Sequence, residues 1–185
     1  MEKSLKNGDV VYRLKHNSFF SKAVAWFTRS KNERPTRAVH VAMIIFYAGE
    51  FYVIEAVSRV KITPFKEWAK DKEFSVWRKK DLTVSERIDL RDEALKYKGC
   101  FYGFWKLFLH AFDAFISKIW YKEVFLLRRL QFIDRYPICS WLVAYTYYNA
   151  LKYSFGTIPK LTDPDSMNDY TRKSEDFHLV LIKRG

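Results

Sequence analysis

A cysteine and a histidine that could cooperate in acyl-transfer chemistry occur in settings that would activate them. Cys139 lies in Tyr136-Pro137-Ile138-Cys139-Ser140-Trp141-Leu142-Val143. The proline ends the preceding segment, and Leu142, Val143, Tyr145, Tyr147 and Leu151 then recur at roughly helical spacing. This pattern predicts a helix over 139–151 with the cysteine in its first turn. There the positive end of the helix dipole favours thiolate over thiol and makes the sulfur nucleophilic near neutral pH. A lone cysteine in apolar surroundings is as readily an inert core residue, so other residues must decide.

A thiol nucleophile needs a base to take its proton and a third group to hold that base in one tautomer. His40 opens an apolar, β-rich run through Tyr47, and Glu55 lies in a second run from Phe51 to Val57. Joined around Ala48-Gly49-Glu50, the two runs predict a hairpin. Glu55 is surrounded in sequence by Tyr52, Val53, Ile54, Ala56 and Val57, where an unpaired carboxylate is costly. An even number of loop residues sets Ala42 opposite Glu55 and His40 opposite Val57. His40 and Glu55 are then diagonal neighbours on one face. A three-residue loop would separate them unless a bulge intervened. A strand-end histidine near an unrelated edge glutamate is the plainer alternative.

The other candidates compete weakly. His16 falls in a polar loop, His110 interrupts an aromatic helix, and His178 begins the final strand. Cys100 follows a helix-ending glycine with no base nearby in sequence, and is expected not to be catalytic. Cysteines and histidines fit no zinc spacing. Asp163-Pro164-Asp165 with Asp169 lacks the turn glycine and closing glutamate of a calcium loop and reads as a capped turn. No metal and no cofactor are expected.

The positioning elements follow from local pattern. Gly8-Asp9 is a turn before a strand at Val10-Val11-Tyr12-Arg13-Leu14. Residues 16–30 read as a short amphipathic helix, and Phe74 to Arg78 as a strand. Thr83-Val84-Ser85-Glu86 is a capping box opening a helix through about Lys98, closed by Gly99. Residues 104–132 read as a helical aromatic insertion, 161–170 as a turn-rich loop, and Phe177 to Ile182 as the last strand. No repeat or linker appears, so residues 1–185 are read as a single domain.

Composition bounds the rest. A chain of 185 residues, 49% hydrophobic, can bury a core and is not a disordered tail. Two cysteines, Cys100 and Cys139, make no disulfide framework. The first ten residues are polar, and no apolar run reaches the about 18 residues of a membrane span, so a cytoplasmic location is expected. A net charge of +12 favours an anionic membrane or an acidic cell-wall polymer as contact. The basic residues are dispersed and no nucleic-acid motif is present, so no specific nucleic acid is expected.

Four segments carry a resemblance. Gly8-Asp9-Val10-Val11, His40-Val41-Ala42-Met43-Ile44, Gly99-Cys100-Phe101-Tyr102-Gly103 and Cys139-Ser140-Trp141-Leu142-Val143 resemble the pieces of papain-like bacterial peptidases of the NlpC type. Their rotated order resembles the circularly permuted branch, which includes the lecithin:retinol acyltransferase-like enzymes. The resemblance implies an α+β, papain-like, circularly permuted fold, with an antiparallel sheet or small barrel packed against helices. It implies Cys139 as nucleophile, His40 as base and Glu55 as the orienting third residue. Tyr102 matches the family tyrosine near the nucleophile. Trp141 stands where a small or acidic residue often follows Cys-Ser, which would narrow the site. Tyr102, Ser140 and Trp141 are therefore candidate substrate-binding or oxyanion residues.

The implied activity is a cysteine hydrolase cleaving an amide or related acyl bond of a small peptide or acyl substrate, with cell-wall peptides as one class. Two alternatives stay open. A thioester intermediate can pass to water, an amine or an alcohol, so an acyltransferase or lipid esterase at a membrane surface fits the same residues. The basic aromatic segment 104–132 could lie on such a membrane or pack over the core. A non-catalytic binding module on the same scaffold is the other.

Overall fold

The computed structural model describes residues 4–14, 38–101 and 139–184. Six strands form one antiparallel sheet in the order β4-β3-β2-β1-β5-β6. They are β1 (Val10–Leu14), β2 (Ala38–Tyr47), β3 (Glu50–Ala56), β4 (Val60–Pro64), β5 (Phe74–Lys79) and β6 (Phe177–Lys183). The helices are α1 (Phe65–Ala69), α2 (Val84–Leu95), α3 (Cys139–Leu151) and α4 (Pro164–Lys173), with a short 3-10 turn at Pro159–Leu161. This is an α+β architecture with an antiparallel sheet packed against helices. The expected helix at 16–30, the aromatic insertion at 104–132, Tyr102, His16 and His110 lie outside the described residues.

Strand alternation explains the layers. Along β1, β2 and β3, Val10, Tyr12, Val41, Met43, Ile45 and Ile54 enter one apolar cluster with Leu90 of α2, Leu142 and Tyr147 of α3, and Met167 of α4. Intervening residues Val11, Ala42, Ile44 and Val53 enter a second cluster with Phe65 and Trp68 of α1 and Phe74 and Val76 of β5. Both faces of the central strands are therefore buried, which is why β2 reads as a nearly continuous apolar run.

The β2–β3 hairpin closes through Ala48 and Gly49 at φ 49° and 89°. Positive φ at both central residues is the tight turn whose twist matches that of the strands. Tyr47 pairs with Glu50 and Met43 with Ile54, so the even loop length holds. The Thr83 capping box is formed in both directions. Regular helix stops at Leu95, short of Lys98, and Gly99 at φ 84° turns the chain back. Gly99 N–H then donates to Val60 O, and Cys100 O accepts from Val60 N–H, which docks this turn on β4.

Two segments differ from the expectations. From sequence, 161–170 reads as a turn-rich loop; it contains the start of α4. Asp163 caps that helix, accepting from Asp165 and Ser166 N–H at 3.0 Å, and Pro164 occupies the first turn. The same residues that suggested a capped turn open a helix, because Met167 and Thr171 find a buried surface that local polarity conceals. Nothing was expected between Val57 and Phe74, yet β4 and α1 lie there. β4 is a five-residue edge strand, and edge strands carry only a weak periodic signal.

A buried ion pair braces the start of β1. Asp9 is fully buried, and Arg78 of β5 grips it with two bonds, Nε to Oδ1 at 2.7 Å and a terminal nitrogen to Oδ2 at 2.6 Å. Lys6 N–H adds a bond at 2.9 Å. Burial still pushes the Asp9 carboxyl up, against the pull of Arg78. Tyr147 of α3 donates to Gly8 O, and Tyr12 of β1 donates to Met167 O at 3.1 Å. Those bonds pin α3 and α4 to the same strand. Arg78→Met strands the buried carboxylate and is expected to cost about 3–5 kcal/mol. Urea unfolding checks this, with exposed Lys80→Met expected within about 0.5 kcal/mol of wild type.

Candidate active site

The register fixes the first half of the site. Continuing the observed β2–β3 pairing sets Ala42 opposite Glu55 and makes His40 and Glu55 diagonal neighbours on one face. Their side chains meet: His40 Nε2 lies 2.9 Å from Glu55 Oε2. On its other side β2 pairs with β1, where Arg13 faces His40 but Leu14 faces Ala38. The residue skipped is Val39, so a bulge lies immediately before the histidine. Such bulges bend a strand and re-aim the adjacent side chain.

The second half is brought by α3, which packs across β2 with Cys139 as its first residue. The thiol is 7% exposed and hydrogen-bonds to His40. Nε2 is engaged by Glu55, which leaves Nδ1 as the ring nitrogen available to the sulfur. Backbone N–H groups of Val41 and Ser140 also donate to the sulfur. Cys139, His40 and Glu55 thus come together, with His40 bonded to Glu55 and close enough to Cys139 for each to feel the other's charge.

Electrostatics along this chain favour charge separation. Burial alone would push the Cys139 thiol up. The His40 charge and hydrogen bond, with the two backbone N–H groups, outweigh it and hold the thiol below its ordinary value. Burial likewise opposes a charged His40, but the Cys139 charge and the hydrogen bonds to Cys139 and Glu55 raise it to about 9. Burial also opposes ionised Glu55, and the hydrogen bond and charge of His40 bring it down to about 2. These interactions act together to favour a thiolate–imidazolium pair backed by an ionised carboxylate.

Two further residues shape Glu55 without any signal in the sequence. Lys61 of β4 pairs across from it and sets Nζ 3.6 Å from Oε1. The buried indole N–H of Trp68 on α1 acts on the same carboxylate without closing a hydrogen bond of regular geometry. Both come from the segment in which no element was expected.

The remaining candidates fall elsewhere. Ser140 is buried, and its hydroxyl has no hydrogen-bond partner among the described residues. Its backbone N–H, not its side chain, addresses the sulfur. Trp141 is also buried; its indole donates to Lys160 O at 2.9 Å and its ring meets Tyr145 edge-on. That arrangement fastens α3 to the 3-10 turn and leaves little of the indole for a substrate. Tyr102 is not among the described residues. Cys100 is half-buried on the turn beside β4 and, like Cys139, is a free thiol. His178 stands in β6, paired with Arg78.

A sheet carrying His40 and Glu55, met by a helix that starts with Cys139, is the arrangement of a papain-like fold in permuted order, since His40 precedes Cys139 in the chain. Residues 4–113 match the family described as permuted papain-like amidase enzyme, YaeF/YiiX, C92 family. The chain belongs to this family, and with it to the cysteine hydrolases of amide bonds. The matched span contains His40 and Glu55 and ends before Cys139. Among solved structures, the crystal structure of metalloprotein yiiX from Escherichia coli O157:H7 is similar over 97% of this chain and 98% of that one. The TM-score is 0.63 and the identity 20%. That likeness is one of fold. No curated protein sequence matches.

Glu55→Gln keeps the shape and removes the charge that favours imidazolium. The expected result is a lower His40 value, a higher Cys139 value, and an alkylation profile displaced to higher pH. Iodoacetamide rates at Cys139 against pH check this; superimposable wild-type and variant profiles would make Glu55 structural only. Stability follows the same shift. Glu55 is depressed from 4.5 to about 2, so its contribution is present above pH 4.5 and is lost as pH falls through about 2. Wild type is expected to lose stability over that window more steeply than Glu55→Gln, as measured by urea midpoints.

Proposed function

We propose that Cys139, His40 and Glu55 form the catalytic triad of a hydrolase that cleaves amide bonds in peptide-like substrates, cell-wall peptides among them. What supports this is the His40 Nε2–Glu55 Oε2 bond at 2.9 Å beside a buried thiol that the neighbouring His40 holds below its ordinary value. The thiolate attacks the carbonyl carbon, and the oxygen that gains charge is stabilised by the Cys139 backbone N–H at the start of α3. His40 Nδ1–H then protonates the departing amine as the C–N bond breaks, leaving a thioester. His40, now neutral, takes a proton from water as the water oxygen attacks the thioester. Collapse releases the acid, and the proton on His40 again faces the thiolate. Glu55 stays ionised throughout and holds the imidazole in the required orientation.

The structural relative carries the word metalloprotein in its title. Among the described residues no group of three or more His, Cys, Asp or Glu is arranged to hold a metal ion. No described helix is long and apolar enough to cross a membrane. Hydrolysis is the reading adopted because the matching family is described as an amidase. The non-catalytic alternative is disfavoured by the activated thiol: a binding module has no need of a thiolate held in the first turn of a helix.

The test combines a thiol probe with an amidase screen over short peptides, including cell-wall fragments. Cys139→Ala is expected to abolish turnover. His40→Ala is expected to lower it by roughly 10²–10⁴-fold and to slow alkylation of Cys139 near neutral pH. Cys100→Ser is expected to leave both unchanged. Activity against pH should rise with thiolate formation and fall as His40 loses its proton near 9. Full turnover in Cys139→Ala would overturn the proposal.

A further inference from the structure

The sheet face that carries His40 holds more positive charge than its described surroundings neutralise. Arg13 stands directly across from His40 in the β1–β2 ladder, so the two side chains leave the sheet together with Cβ atoms roughly 5 Å apart. Lys61, across from Glu55, sets its ammonium 3.6 Å from that carboxylate. Lys72 reaches in from the α1–β5 connection, donating to Trp68 O at 2.8 Å and lying 4.9 Å above the Trp68 ring. These charges sense one another. Burial, Arg13 and Lys61 all depress Lys72, while Glu55 and Asp71 raise it.

Against three cations stand two carboxylates. Glu55 is already shared by His40 and Lys61, and Asp71 acts on Lys72. The cation left over is Arg13. It is half-buried, burial works against its charge, and only the more distant pull of Glu55 offsets this. Its guanidinium makes no hydrogen bond or ion pair among the described residues. Five N–H donors partly withdrawn from water and left unmatched are a cost that folding alone does not explain. A planar fork of this kind fits a carboxylate with two parallel bonds.

We propose that Arg13 anchors a carboxylate that the substrate carries beside the bond attacked by Cys139, so that the enzyme acts on acidic peptide-like amides. One charge unmatched among the described residues suits a single carboxylate. Lys61 and Lys72, each already held, add a positive field that draws such a substrate in. The proposal rests on the cysteine-hydrolase reading, because the anchor is placed relative to His40 and Cys139.

Iodoacetate and iodoacetamide separate the two ideas. Each delivers the same carbon to the sulfur, which displaces iodide to form a thioether; they differ only in carrying a carboxylate or an amide. Both rates scale with the same thiolate fraction, so their ratio reports recognition of the carboxylate. The full-length protein is alkylated near neutral pH at low and high salt, and labelling of Cys139 is followed by peptide mapping, apart from Cys100. The iodoacetate-to-iodoacetamide ratio is expected to exceed that of free cysteine by about tenfold or more at low salt and to shrink at high salt. Arg13→Gln should return the ratio toward that of free cysteine, and Arg13→Lys should keep much of it. A wild-type ratio equal to that of free cysteine overturns the anchor, as does an unchanged ratio in folded Arg13→Gln. If Arg13→Gln does not fold, Arg13→Met is compared with Lys61→Met, and a fall of the ratio no larger at Arg13 than at Lys61 overturns the anchor. Failure of the hydrolase reading looks different: Cys139 would react with iodoacetamide no faster than an ordinary thiol, in wild type and His40→Ala alike.

Discussion

Glu55 is the constraint around which the site is organised. A carboxylate 4% exposed in an apolar strand is tolerable only when fully engaged. His40 engages it at 2.9 Å, and that contact requires the two-residue turn at Ala48-Gly49. One residue more in the turn would move every side chain of β3 to the opposite face. Once Glu55 is ionised and buried, it holds the imidazole charged, and the charged imidazole in turn makes the thiolate affordable beside it. Each group is unfavourable alone and stable in the chain of three.

The permuted order puts unusual demands on the scaffold. Base and carboxylate are neighbours in sequence and assemble through local hairpin pairing. The nucleophile comes from much later in the chain and must be delivered to them. α3 is held for this purpose by contacts spread along its length. Its first turn bonds to β2 through the Val41 N–H, Trp141 ties it to the 3-10 turn, and Tyr147 reaches the backbone of Gly8. Gly8 has φ 84°, and a side chain there would meet Leu90 of α2. The Gly8-Asp9 turn is thus a structural junction: backbone to α3, side chain to Arg78, close approach to α2. None of its groups touches the triad, yet all of them determine where α3 begins relative to β2.

Charge is arranged in two tiers. Close to the sulfur, His40 and the Glu55 carboxylate set opposite charges side by side. Around them, Arg13, Lys61 and Lys72 make the same sheet face positive. In a chain with a net charge of +12, a basic surface is unremarkable by composition. What distinguishes these three is placement: β1, β4 and the α1–β5 connection converge on the one carboxylate that the catalytic chain already uses. Their field lowers the cost of ionising Glu55.

Much of this was legible in the residues alone. The first-turn position of Cys139, the β2–β3 hairpin, the Thr83 capping box and the strands at β1, β5 and β6 all follow from short-range pattern. Each depends on interactions within a few residues or on simple alternation. The turn length that makes His40 and Glu55 diagonal neighbours, by contrast, is fixed only by the observed register. The segments that misled are those whose structure is decided at a distance. Residues 161–170 contain the start of a helix because Met167 and Thr171 meet a core made by β1 and β2. Residues 60–69 become an edge strand and a helical turn because β3 offers a partner and the second apolar cluster offers a place for Trp68. The surroundings of Glu55, with Lys61 and Trp68 drawn from that segment and Arg13 from the far side of β2, were invisible for the same reason. Sequence determines which residues are able to do chemistry; the packing of distant strands decides which charges they feel while doing it.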